Sequence, residues 1–209
     1  MAAKAEKTGK GTPDDDDEGK PAKDATTDPH LWLDPVRMAA IAEPLASRLG
    51  QASPANAVTL HYHAEQLATH LREDVDPGVR ALLARRDAHA KTANLPTIPF
   101  ITYHAAYQYF LARYDIAPEG FVTQVPEDYF GAHTLDKTLR GASAVPIRCI
   151  ISESDSPLVK RLAAESGARI VEQNPERSYS PQETPSLPWI QNNYDRLLAS
   201  VAASFAGCL

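Results

Sequence analysis

Residues 1–29 contain no Val, Ile, Leu, Phe, Trp or Tyr, and large apolar positions begin only at Leu31. From Asp34 the pattern is helical. Met38, Ile41, Leu45 and Leu49 recur at helical spacing, with Asp34 as N-cap, Pro35 at the first helical position and Gly50 as the stop. Pro44 falls inside this helix and is expected to bend it. A second helix starts at Ser53-Pro54 and runs through "NAVTLHYHAEQLATHLREDV". Asp76-Pro77-Gly78 should interrupt or kink it before "VRALLARRD" continues, so the whole reads as a long spine. After about residue 90 the period changes. Short apolar runs, "TIPFITYH", "GFVTQV", "IRCIISE" and "ARIVEQ", alternate with the helical stretches "AAYQYFLARY", "TLDKTLRGAS" and "SPLVKRLAAESG". A polar, Pro-rich loop, "NPERSYSPQETPSLP", leads to a last helix in "WIQNNYDRLLASVAASF". Strands alternating with helices predict an α/β fold, a parallel sheet of about four strands flanked by helices beside the long spine helix.

Composition divides the 209 residues into three parts. Residues 1–29 hold eight Asp or Glu and five Lys. Such a head cannot recover its ordering entropy by burial, so it is expected to be disordered. Residues 30–90 form the entrance helix and spine, and 91–209 the α/β lobe. With a net charge of −6 and scattered basic residues, nothing points to nucleic acid as a partner. No apolar run approaches the roughly 20 residues of a membrane span. The basic, then acidic start shows no signal-peptide core. Nothing in the pattern calls for an oligomer, and a monomer is expected. The two cysteines, Cys149 and Cys208, read either as buried free thiols or as a bridge tethering the last helix. A bridge would close a loop near 60 residues, contribute about 4 kcal/mol on the chain-entropy account, and imply an oxidising compartment.

In parallel sheets, ligands bind beyond the carboxyl ends of the strands. His104 ends the first strand, Glu127 and Asp128 follow the second, Glu153 the third and Asn174 the fourth, so one rim collects nitrogen and oxygen donors. Neutral imidazole is a favoured zinc ligand and carboxylates complete such shells. Each residue also has an ordinary structural role: His104 as a hydrogen-bonded packing residue, Glu153 as a helix cap, His30 as a cap or packing residue of the entrance helix. His61, His63 and His70 read as exposed faces of the spine, His63 and His70 on one side. His89 falls in a polar linker and His133 near a helix start. No G-x-S-x-G, H-E-x-x-H, Walker or G-x-G-x-x-G motif is present, and neither cysteine sits in a CxxC pair.

"DPHLWLDP", a long helix, "HAAYQYF" with "RY", "CIISE" and a terminal "GCL" occur in that order over residues 28–209. In this the chain resembles the zinc-uptake solute-binding proteins of ABC transporters, the ZnuA type. The resemblance implies one lobe of a two-lobed, periplasmic metal-binding protein that delivers its ion to a cognate permease in the inner membrane. It implies His30 and His104 as metal ligands, Glu153 and Asn174 as further candidate donors, and a Cys149–Cys208 disulfide. The acidic head takes the place of the mobile loop that precedes "HLWL" in the family. The family's amino-terminal lobe, which supplies another histidine, has no counterpart in this sequence, and Asn174 stands where relatives often carry an aspartate. Zn2+ is the expected ion, with Mn2+ second, because histidines favour zinc and paired acids manganese.

Two other functions fit part of the pattern. One is a zinc-dependent hydrolase with Glu153 or Glu127 as general base. The other is a metal-free adhesion or interaction module.

Overall fold

The computed structural model of the chain describes residues 28–92, 99–123, 147–184 and 186–208, with backbone alone over 86–92. The acidic head, Glu127, Asp128, His133, the helix expected over 134–143 and the side chain of His89 lie outside the described residues.

Asp34 caps the first helix as its sequence requires: one carboxylate oxygen accepts from the backbone N–H of Val36 (2.9 Å) and Arg37 (3.2 Å). Helix α1, Pro35–Ala52, runs on through Pro44, which lies on its exposed side. Of the large apolar stripe of α1, only Met38 packs against the core. Ile41, Leu45 and Leu49 are 38, 53 and 45 % exposed, and the buried face is Ala39, Ala42, Ala46 and Gly50. The reason is close approach. Helix α2, Ala57–His70, packs against α1 through Ala64 and Ala68, and a Cβ on Gly50 would stand 3.1 Å from the Ala57 Cβ. Only small side chains fit between helices that near each other.

The spine continues from α2 through a π-helical turn, Leu71–Val75, into α3, Asp76–Thr92. Asp76-Pro77 therefore widens the helix instead of ending it. Pro77 has no N–H for the carbonyl of Glu73 and its ring crowds that carbonyl, and a wide turn relieves both. Asp76 is held by Arg113 (2.7 and 3.0 Å) and Arg80 (3.2 Å). Burial opposes its charge, but the two guanidinium groups outweigh it and keep the carboxyl below its ordinary range. Gly78 faces the indole of Trp189, whose Nε1 would lie 2.3 Å from any Cβ added there. His70 departs from expectation. It is mostly buried and paired, not on an open face.

Strands β1 (Phe100–His104), β2 (Gly120–Thr123), β3 (Cys149–Ser152) and β4 (Arg169–Glu172) form one parallel sheet in the order β2-β1-β3-β4. Ile101 pairs with Gly120 on one side and Ile150 on the other, and Ile150 with Ile170. Helix α4, Gln108–Arg113, follows β1 and is shorter than the sequence predicts. Helix α5, Pro157–Ser166, links β3 to β4. Ser156 caps it through the Val159 N–H, and Gly167 ends it at φ 70°. That left-handed conformation suits glycine. Side chains alternate across the sheet. Ile101, Val122 and Ile150 bury on one face with Val159 and Leu162 of α5, whereas Phe100, Cys149 and Ile151 meet the last helix, α6 (Asn193–Gly207), on the other. Phe205 of α6 centres that second core, its ring 5.4 Å from each of Phe100, Tyr107 and Phe110. Cys149 and Cys208 are bridged across a separation of 59 residues, tying the end of α6 to β3.

Candidate metal centre

The strand order places the reversal of chain direction between β1 and β3, since β1 leads outward to β2 while β3 leads the opposite way to β4. Such a switch point opens a crevice at the carboxyl ends of the two strands. His104 is the last residue of β1, and Glu153 directly follows β3. The His104 ring donates from Nδ1 to Glu153 Oε1 (3.2 Å).

His30 reaches the same place from the other end of the chain. The 3-10 turn Leu31–Leu33 carries it there. Leu33 is buried in the core, Trp32 Nε1 donates to the Pro175 carbonyl (3.1 Å), and Tyr194 of α6 donates its hydroxyl to the Trp32 carbonyl (2.7 Å). Asp28 fixes the ring itself: one carboxylate oxygen accepts from the His30 backbone N–H (2.9 Å) and from its Nδ1 (2.8 Å). The other oxygen of Asp28 is buried without a partner among the described residues.

The rings of His30 and His104 lie 4.9 Å apart between centroids, at an interplanar angle of 76°. Both residues are almost fully buried, at 6 and 5 % exposure. Two imidazoles sharing one tetrahedral zinc, with Zn–N near 2.0–2.1 Å, place their centroids about 5 Å apart. An edge-to-face pair at this distance also suits plain packing. Each Nδ1 is engaged by its own acid, which fixes the tautomer with Nε2 as the nitrogen that carries the lone pair.

Glu153 therefore stands behind His104. Its negative charge is also felt by Tyr103 and Tyr107, whose hydroxyls are pushed up first by burial and then by this carboxylate. Asn174 follows β4 by two residues. Its amide oxygen accepts from the Glu176 N–H (2.8 Å), and its backbone bonds the Tyr179 hydroxyl. Among the described residues, no group of three or more His, Cys, Asp or Glu is arranged to hold a metal ion. His61 and His63 stay on the spine, His61 paired with Glu43 (2.7 Å).

Sequence reasoning missed the supports. Gln173 ties the start of the loop after β4 to α6. It is buried, donates to the Tyr179 hydroxyl (2.8 Å), and accepts from Ser200 and Ser204 of α6 (2.9 Å each). Asp28 was legible in principle, because an acid two residues before a histidine can accept from its backbone N–H and its ring together.

The chain matches the family described as zinc-uptake complex component A, periplasmic, over residues 1–200. It is 27% identical over 184 residues to the high-affinity zinc uptake system protein ZnuA of Brucella abortus, an alignment covering 87% of this chain and 50% of that protein. Among solved structures, the fold resembles a Zn(II)-bound variant of AdcAII from Streptococcus pneumoniae, with TM-score 0.65, 19% identity, and coverage of 88% of this chain and 64% of that one. It also resembles the solute-binding protein FpvC of Pseudomonas aeruginosa in complex with Mn2+, with TM-score 0.64, 23% identity, and coverage of 87% and 62%. The chain thus spans about half the length of the curated Brucella relative and under two thirds of these structures. By the match over nearly its whole length, the chain belongs to the zinc-uptake complex component A family.

Proposed function

We propose that this chain is the metal-binding lobe of a periplasmic solute-binding protein that captures Zn2+ for a membrane permease. The observation that carries the reading is the buried His30–His104 pair, with a carboxylate on each Nδ1. Two imidazoles fill half of a tetrahedral shell. The remaining positions fall to Glu153 after a side-chain rotation, to water, or to a part of the longer relatives that this chain does not span. Asn174 has the weaker claim, because its oxygen already serves the loop. Zinc is favoured over manganese because the pair is all nitrogen, a set that suits the softer ion.

Capture and release, without catalysis, suits the site. Glu153, one of the two general bases that a hydrolase could use beside Glu127, is bonded to the ring of His104. A bound ion requires both imidazoles neutral and the protein folded, so capture also stabilises the fold. The test is calorimetric titration of zinc into the wild type, His30→Ala, His104→Ala and His63→Ala at one pH. Loss of either paired histidine is expected to weaken binding on the order of 100-fold or more, beyond the 10–100-fold typical of second-shell partners. His63→Ala is expected to bind like the wild type. Equal affinity in His30→Ala and the wild type would refute the site.

A further inference from the structure

His70 closes α2, and its ring lies between carboxylates from two different elements. Nδ1 is 2.9 Å from Asp74 in the π turn, and Nε2 is 3.0 Å from Asp195 in the first turn of α6. The side-chain amide of Gln191, just before α6, lies 3.3 Å from Nδ1. Asp195 is fully buried. The oxygen that faces His70 also accepts from the backbone N–H of Gln191 (2.8 Å) and Asn192 (3.3 Å). Its other oxygen has no hydrogen-bond partner among the described residues. Among those residues neither Asp74 nor Asp195 pairs with a lysine or arginine, so His70 is the cation available to both.

A neutral imidazole has one N–H and can donate to only one of these acids; its other nitrogen would turn a lone pair towards carboxylate lone pairs. Both contacts are favourable only for the imidazolium, which donates from both nitrogens. A half-turn of the Gln191 amide presents its oxygen to the same N–H. A buried carboxylate without a cation is costly, so the arrangement around Asp195 selects the charged ring.

We infer that His70 keeps its second ring proton to a higher pH than a free imidazole does and serves as a proton-dependent clasp between the spine and the start of α6. Burial opposes the charge, but the hydrogen bonds and charges of Asp74 and Asp195 outweigh it and hold the ring above the ordinary imidazole value. The clasp matters because of what α6 joins. Its length packs along α3, and its end is bridged through Cys208 to β3, the strand that leads to Glu153. One end of α6 is thus fastened covalently and the other by a proton. Stability from a group whose folded pKa is raised is fully present below its unfolded value, near 6.5, and is lost as pH rises through the folded one. The clasp therefore loosens towards alkaline pH.

Nitrogen-15 NMR of the imidazole rings in the whole, chelator-treated chain tests this without reference to zinc. The second ring proton of His70 is expected to leave above the free-imidazole value, near 6.5. Its loss at or below that value would overturn the clasp. Chemical denaturation from about pH 6.5 to 9 is expected to show a larger fall in midpoint for the wild type than for His70→Gln; parallel curves would overturn it too. Should His70→Gln not fold, Asp74→Asn removes only the outer acid. That change is expected to lower the pH at which the second ring proton leaves by about one unit or more, and no shift would count against the proposal.

Discussion

The His30–His104 pair and His70 show how differently one side chain can be used within a single small domain. All three rings are largely withdrawn from water, and all three touch acids. His30 and His104 each face one carboxylate, at Nδ1, and face each other. His70 faces two, one at each nitrogen. One acid orients an imidazole and leaves its second nitrogen for a ligand. Two acids consume both nitrogens and make the ring a structural cation. On the two proposed readings, the number of carboxylates, more than burial or the presence of histidine, separates a binding site from a fastening.

Mutations should pull these two uses apart. The largest effect is expected from Asp195→Ala, which strips the buried acid from His70 and the capping box from α6. Breaking a buried pair of this kind typically costs about 3 kcal/mol or more. Denaturant titration would measure that loss, while zinc affinity in the folded variant should stay near that of the wild type. A matching loss of zinc affinity would show the two sites to be one coupled unit.

Next in size is removal of the orienting acids. Asp28→Ala and Glu153→Ala should each weaken zinc binding by about 10–100-fold, with less effect on stability than Asp195→Ala. Competition with a chelator of known affinity would resolve this. An unchanged affinity in both variants would mean that the tautomers are set by something other than these carboxylates.

The spine offers a smaller contrast of opposite sign. Because Arg113 and Arg80 hold Asp76 below its ordinary range, its contribution is present above the unfolded carboxylate value, near 3.9, and is lost as pH falls through the folded one. Arg113→Met should flatten the acid limb of the stability profile and leave the alkaline limb, assigned to His70, as it was. The smallest effect is expected from Asn174→Asp. It places an anion near the rim while keeping the acceptor for the Glu176 N–H, and should raise zinc affinity by less than about tenfold if Asn174 lies outside the first shell.

The contrast also marks what the residue pattern could reveal. Local signals carried well. Asp34-Pro35, Ser156-Pro157 and Gly167 each mark a helix end by chemistry confined to a few residues. The four strands were visible as short apolar runs, and their parallel pairing put His104 and Glu153 on one rim. The pairing of Cys149 with Cys208, and of His30 with His104, came from the family resemblance, because nothing local joins residues so far apart. Periodicity located α1 but not its buried face. Of Met38, Ile41, Leu45 and Leu49 only Met38 packs against the core, because helix–helix distance was decided by Ala39, Ala42, Ala46 and Gly50, whose lack of bulk carries little periodic signal. His70 looked exposed because its second acid comes from 125 residues along the chain. The contact of Gly78 with Trp189 was hidden for the same reason.

The wide turn at Leu71–Val75 sets the rotational phase of everything that follows it on the spine. Upstream, Ala64, Ala68 and Leu71 face inward; downstream, Val75, Val79 and Leu83 do. Each residue of a regular helix advances the winding by about 100°. A wide turn takes up one residue more than a regular one, so regular winding at the present length would swing Val79 and Leu83 away from the interior, whereas removing one residue would let the spine wind regularly with both still facing it. For this spine, then, the wide turn is what keeps one inward face continuous past an extra residue.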